Sequence, residues 1–478
     1  MFLLRKISLI KFCLVFGVLS AQDFDAEIAA VNDFSIKKDF VKLSAENKEL
    51  LNTEVLEDFF EKLYQLDLGK KSKVRIVHIG DSHIQAGFFT GKNRTLFQER
   101  FGNAGLGFTF PYNLANTNGI KEVTYSSSVP WEGKRNIFAK EIDSIGVSGF
   151  GLTTKFKDFA VNLKIKDEKY YFNTLKLLTP KTANFYVPAK TNKPISFKKY
   201  TIERKTHLIK SGEALSIIAQ KYGVGIADIK KANNLHSNAI RAGDKLIIPV
   251  KSEKPQPVNH TDFQILNFDK NQDDFVLHSE KAMESIWFLA NGNKEKYSLN
   301  GFVLENDQPG VIYSGIGVNG ARFADYNKTS LFFDELKTLA PDLLIISLGT
   351  NEAHDNLEKE KYKERLQTFI KNIRKNHPDI PILFTTPPPS LLKRQFPNTY
   401  EENYTSCLKN LAGKENFAVW DLFSVLGGKN LIRENFSKGI ISKDYVHYSE
   451  KGYQYSAELF NEAIMYAYYL YMQNKQSR

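Results

Sequence analysis

Three short segments, far apart in the chain, carry the side-chain types that acyl transfer needs. Gly80-Asp81-Ser82-His83 places a hydroxyl after an apolar run, Gly349-Thr350-Asn351-Glu352 places an amide after another, and Asp444-Tyr445-Val446-His447 places an imidazole three residues beyond a carboxylate. A serine hydroxyl becomes a nucleophile when an adjacent base takes its proton. An aspartate on the far side of that base fixes its tautomer and stabilises the imidazolium. An amide at a strand end can donate to the oxyanion that develops on an attacked carbonyl. Each segment alone also fits a bland reading: Ser82 as a helix cap, Asn351 as a turn residue, Asp-x-x-His as a surface bend.

The surrounding elements support the chemical reading. Val74 to Ile79, Leu343 to Leu348, Ile382 to Thr386 and Phe417 to Leu422 are short runs rich in apolar and β-branched residues, and they predict buried strands. Tyr362, Leu366, Phe369, Ile370 and Ile373 share one helical face between the second and third runs. A last helix is expected after Ser449, running to about residue 473. Strands alternating with helices imply a parallel sheet covered on both sides, with its site at the carboxyl ends of the strands. This pattern covers 50–110 and 310–475. Between them Val161, Leu163 and Ile165 alternate with polar residues, and short strands recur at Phe263–Phe268, Ile286–Leu289 and Ser298–Leu304, which predicts an inserted antiparallel β-domain.

The order of the three segments resembles the SGNH (GDSL-type) hydrolases. The resemblance implies an α/β/α three-layer fold with a parallel sheet. It implies Ser82 as nucleophile, Asp444 and His447 as the rest of a triad, and an oxyanion hole of the Ser82 N–H, a glycine N–H and Asn351. The glycine is expected at Gly320, in Ile316-Gly317-Val318-Asn319-Gly320, with Gly149 in Ile145-Gly146-Val147-Ser148-Gly149 as the alternative. His83 stands where the family usually has leucine, and it is left outside the triad.

Within the β-domain, Thr206–Ile209, two short helices carrying Leu215, Ile218, Ala219 and Tyr222 and then Ile226, Ile229 and Ala232, and a strand over Lys245–Ile248 ending at Pro249 make a βααβ unit. The polar segment Ser252–Val258 reads as a linker out of it. "KSGEALSIIAQKYGV", "IADIKKANNL" and "IRAGDKLIIP" closely resemble a LysM domain over His207 to Pro249. Glu213-Ala214 replaces the family's usual Asp-Thr. The resemblance implies binding of N-acetylglucosamine-containing glycans such as peptidoglycan, in a groove between Ser211, Gly212 and Glu213 on one side and Asn233, Asn234, Leu235 and Ile240 on the other.

The chain therefore divides into a leader (1–21), a first hydrolase part (22–125), a β-rich insert (126–199 and 251–304) interrupted by the LysM module (200–250), and a second hydrolase part (305–478). Arg5, Lys6 and Lys11, the apolar run Phe12–Leu19 and the small residues Ser20 and Ala21 predict a secretory signal, hence export to the periplasm or cell envelope of a bacterium with no stable membrane insertion after cleavage. The net charge of +11 comes from scattered lysines and suits an anionic wall; nucleic acid is not expected as a partner. Cys13 and Cys407 are the two cysteines, and no Cys/His cluster has zinc-ligand spacing, so neither a metal nor a cofactor is expected. A β-insert between the Ser and Asn segments resembles the arrangement of peptidoglycan O-acetylesterases. Removal of O-acetyl groups from N-acetylmuramic acid is the leading expectation. An acetyl-esterase or acetyltransferase acting on another polysaccharide, or an inert wall-binding protein, are the alternatives.

Overall fold

A computed structural model describes residues 49–477 except 138, 140–141, 181–184, 196–197, 211–212, 256–257, 270–274 and 293. The expected leader, and Ser211 and Gly212 of the expected glycan groove, lie outside the described residues.

The centre is a five-stranded parallel sheet. Its strands in chain order are β1 (Lys73–Gly80), β2 (Gly310–Gly317), β3 (Leu343–Ser347), β4 (Ile382–Thr385) and β5 (Ala418–Trp420), and their spatial order is β2-β1-β3-β4-β5. Alternate side chains feed opposite faces, as the pleat requires. Val77, Ile79, Leu344, Ile346, Ile382 and Phe384 join one apolar cluster, while Val74, Ile76, Leu343, Ile345 and Leu383 join the other. Helix α1 (Ser82–Gln85) and helix α2 (Phe88–Phe101) follow β1; α3 (Thr350–His354) and α4 (Lys359–Asn376) follow β3; α5 (Glu450–Gln476) closes the chain. The apolar stripe read on α4 is its buried face. Ser449 caps α5 by accepting from the Gly452 N–H at 3.0 Å.

β2 is the strand-like segment that ends at Ile316-Gly317, and glycines interrupt its apolar run. Those glycines let helices press on the strand: a Cβ at Gly317 would lie 2.3 Å from the Gln85 backbone nitrogen.

The insert is an antiparallel sandwich. One sheet runs Gln264–Ile265, Tyr186–Lys190, Ser285–Ala290, Ala160–Ile165, Val123–Ser127; the other runs Phe275–Met283, Phe172–Leu178, Gly301–Glu305, Gly107–Thr109. Phe302 meets Tyr125 and Phe288 across the gap, with ring centroids 5.9 and 5.0 Å apart. Antiparallel pairing thus begins at Gly107, upstream of the boundary drawn at residue 126. Gly107-Phe108-Thr109 is too short for alternation to betray it. The sandwich shares one apolar cluster with the sheet face that carries Val77, Ile79, Ile316, Leu344, Ile346 and Phe384. Glu335 also ties the two parts together: its carboxylate accepts from the Val147 N–H at 2.8 Å and the Asn300 amide at 2.6 Å.

The βααβ module sits on a two-stranded ribbon. Lys198–Leu208 pairs with Lys245–Pro255 in unbroken register, Lys198 opposite Pro255 and Leu208 opposite Lys245. The closing strand does not stop at Pro249, and Ser252 to Pro255 is strand, not linker. Both strands of a two-stranded ribbon are edges, which accommodate a proline where its nitrogen faces away from the partner strand.

Candidate functional site

The carboxyl ends of β1, β2 and β3 are level, with Gly80 opposite Gly317 on one side and Ser347 on the other. Strand order reverses between β1 and β3, which is where doubly wound sheets open a crevice. Ser82 is the first residue of α1, capped by Asp81, whose carboxylate accepts from the His83 N–H at 2.9 Å. Asn351 enters from α3. Asp444 to His447 lies before α5, with Tyr445 in the left-handed region at φ 61.

These distant segments meet. The Ser82 Oγ lies 2.8 Å from His447 Nε2, and His447 Nδ1 lies 2.8 Å from Asp444 Oδ2. The other Asp444 oxygen accepts from the Val446 and His447 N–H groups, each at 2.9 Å. Partial burial pushes Asp444 upward, but those N–H groups and the imidazole outweigh it and hold the carboxyl below its ordinary value. An ionised carboxylate against Nδ1 favours the tautomer that presents a bare Nε2 to the serine.

Gly320 follows β2 with φ 87, a backbone that favours glycine. Its neighbours' N–H groups are engaged, Asn319 to Gln85 Oε1 at 2.6 Å and Ala321 to the Val318 carbonyl at 2.9 Å. No hydrogen bond of the Gly320 N–H occurs among the described residues. Gln85 also donates to the Asn118 carbonyl at 2.8 Å, bracing this loop against the segment that leads into the insert. Gly149, the alternative, already donates its N–H to the Gly146 carbonyl at 2.9 Å. Asn351 Nδ2 donates to the Ala321 carbonyl at 3.0 Å and to Asp81 Oδ2 at 3.2 Å. His83 is buried, with Nδ1 2.9 Å from the Tyr453 hydroxyl and its ring centroid 5.3 Å from that of His447.

The module's expected groove residues divide. Asn233 donates to the Ile229 and Ile247 carbonyls at 2.8 and 2.6 Å, and its oxygen accepts from the Ile247 N–H at 2.7 Å. These bonds stitch helix to strand and leave the amide little for a ligand. Glu213 accepts from the Lys210 N–H at 2.8 Å and meets His207 Nε2 at 2.8 Å, so its carboxylate is engaged within the module. Leu235 and Ile240 pack partly against the module's core. Asn234 is exposed, with φ 55.

Burial around the site has a measurable consequence. It pushes the Asp81, Glu335 and Glu352 carboxyls up to about 7 and Glu401 to about 8. Each binds its proton more tightly in the folded chain, so each contributes stability at low pH that is lost as pH rises through those values. Burial holds His78 and His83 down at about 3, so their effect has the opposite sign, growing from pH 3 to their unfolded value of 6.5 and then constant. Above 6.5 the carboxyls alone change among these groups. The thermal midpoint should therefore fall between pH 6.5 and 9; calorimetry showing it level or rising there would contradict this.

The chain is similar to a GDSL-type hydrolase domain carrying an insert. Residues 297–455 match the GDSL-like lipase/acylhydrolase family, and residues 207–249 match the LysM domain. The first match takes in Asn351, Asp444 and His447; Ser82 lies outside it, beyond the insert. More particularly, a solved structure described as "Peptidoglycan O-acetylesterase in action, 5 min" superposes with a TM-score of 0.58, covering 86% of this chain and 96% of that one at 18% identity, a likeness of fold. Two proteins described as "Probable N-acetylmuramidase" match over a short stretch. That of Lactococcus lactis subsp. lactis (strain IL1403) is 47% identical over 47 residues, and that of Lactococcus lactis subsp. cremoris (strain MG1363) is 46% identical over 43. These stretches are 10% and 9% of this chain and 11% and 10% of the two relatives. Among the described residues no helix is long and apolar enough to cross a membrane, and no group of His, Cys, Asp or Glu is arranged to hold a metal ion.

Proposed function

We propose that the protein is an exported serine esterase that removes O-acetyl groups from peptidoglycan, held on its substrate by the LysM module. The observation that carries this is the continuous hydrogen-bond line from the Ser82 hydroxyl through His447 to Asp444. In the reaction, Ser82 Oγ attacks the acetyl carbonyl while His447 Nε2 takes its proton. The tetrahedral oxyanion is received by the N–H groups of Ser82 and Gly320 and by Asn351, which exchanges its longer contact to Asp81 for the new one. Collapse breaks the bond to the sugar oxygen, which leaves with the proton from His447. Water, activated by the same imidazole, then attacks acetyl-Ser82 and releases acetate.

The match to a LysM domain and the fold likeness to a peptidoglycan O-acetylesterase support peptidoglycan as the polymer. The test is acetate release from O-acetylated peptidoglycan and from acetylated xylan by the wild type and Ser82→Ala. Serine-dependent release from peptidoglycan supports the reading, and serine-dependent release from xylan alone would move the enzyme to another polysaccharide.

The module's separate role is testable because its ribbon begins and ends as a strand pair. Residues opposite each other in an antiparallel pair are about 5 Å apart, so a tight turn can replace 199–254 between Lys198 and Pro255. The excised protein should keep its turnover of 4-nitrophenyl acetate within about twofold and lose retention on insoluble peptidoglycan in a pull-down. Undiminished retention would assign binding to another surface.

A further inference from the structure

A second polar chain ends at the same crevice. His354 is the last residue of α3, one helical turn beyond Asn351 and on the same side of the helix. Its Nε2 lies 3.2 Å from the Ser390 Oγ. Ser390 is fully buried and donates its hydroxyl to Glu401 Oε1 and its N–H to Glu401 Oε2, the latter at 2.7 Å; Glu401 is fully buried too. The segment around Ser390 is bonded to both flanks of His447: the Leu391 N–H donates to the Tyr445 carbonyl at 2.9 Å, and the Tyr448 hydroxyl donates to the Pro389 carbonyl at 3.1 Å. His354 is half-buried; burial, then the charges of His447, Asp355 and Asp444, act on its imidazole. Among the described residues its Nδ1 has no hydrogen-bond partner.

A buried carboxyl spent on aiming one serine, which in turn holds one edge of a half-exposed imidazole, fixes that imidazole's orientation. The chain is not a second catalytic triad, because Glu401 bonds to the serine and not to the histidine.

We propose that His354 is a specificity-determining residue of the esterase site, presenting Nδ1 to a polar group of the sugar that bears the ester, and that Ser390 and Glu401 position it. The inference rests on the esterase reading and refines it. A simple acyl ester has no sugar to meet Nδ1. A glycan ester has hydroxyl and amide groups beside the ester, able to donate or accept whichever tautomer the chain imposes.

The experiment compares His354→Ala, His354→Gln and Ser390→Ala with the wild type on two substrates, O-acetylated peptidoglycan and 4-nitrophenyl acetate. His354→Ala should raise KM for the polymer about tenfold, the loss of one hydrogen bond, while kcat/KM for the small ester stays within about twofold. His354→Gln keeps a polar head and should recover part of the loss. Ser390→Ala should raise the polymer KM in the same direction by a smaller factor with kcat held, a split that a merely structural role would not produce. Equal losses on both substrates, or an unchanged polymer KM, would overturn the proposal while leaving the esterase reading intact. Failure of the wild type to release acetate from the polymer while it cleaves the small ester would overturn the glycan reading and this inference together.

Discussion

Ser82→Ala is expected to lower kcat/KM for O-acetylated peptidoglycan by roughly 10³- to 10⁶-fold. The size follows from the chemistry. Without the hydroxyl no acyl-enzyme forms, and what remains is the contribution of the oxyanion donors and of substrate positioning. The cost to the fold should be small, because Ser82 is only half-buried and its side chain makes a single hydrogen bond, to His447, worth about 1 kcal/mol. The cap of α1 belongs to Asp81 and is untouched. The variant should therefore keep its thermal midpoint within a few degrees and remain on insoluble wall in a sedimentation assay. Acetate release by Ser82→Ala within tenfold of the wild type would refute the covalent mechanism.

Asp444→Asn is expected to lower kcat by roughly 10²- to 10⁴-fold with a much smaller change in KM. The carboxylate accepts three hydrogen bonds, two from backbone N–H groups and one from His447 Nδ1. An asparagine can keep the backbone contacts through its oxygen, but it then turns an NH2 group toward Nδ1. That favours the tautomer with the proton on Nε2, which cannot take the Ser82 proton. The Asp444 side chain is 43% exposed, so water can relieve part of the mismatch, and the loss should fall short of that at a fully buried triad aspartate. Steady-state kinetics on 4-nitrophenyl acetate would measure it. A loss confined to KM, or a kcat within threefold of the wild type, would show that Asp444 only shapes the loop.

How much was legible in the sequence depended on whether the information was local. β1, β3 and β4 announce themselves as apolar runs, and α4 by its stripe. β2 shows itself only as a strand-like segment, because its glycines serve contacts with α1 and α2 that no local pattern reveals. The meeting of Ser82, His447 and Asp444 was readable only from the order of three segments, since the Ser82–His447 contact spans most of the chain. Asn233 shows the opposite failure. An asparagine in a loop looks available to a sugar, yet this one is committed to the facing strand. Pro249 misled for a related reason, since a proline ends a strand only where its N–H is needed. The chain from Glu401 through Ser390 to His354 joins residues whose spacing forms no motif, and folding alone brings them together.

The ribbon that carries the small module fixes how far apart anchor and chemistry can work. Outside residues 207–249 it runs for six residue pairs, Lys198 opposite Pro255 to Glu203 opposite Val250, roughly 20 Å at the rise of an extended strand. Two paired strands resist twisting and coiling far more than a single flexible segment. An esterase moored this way would treat a bounded patch of glycan around each attachment point and would have to let go before treating the next. Slow release from the polymer would then confine deacetylation to islands, and weak, fast-exchanging attachment would spread it evenly.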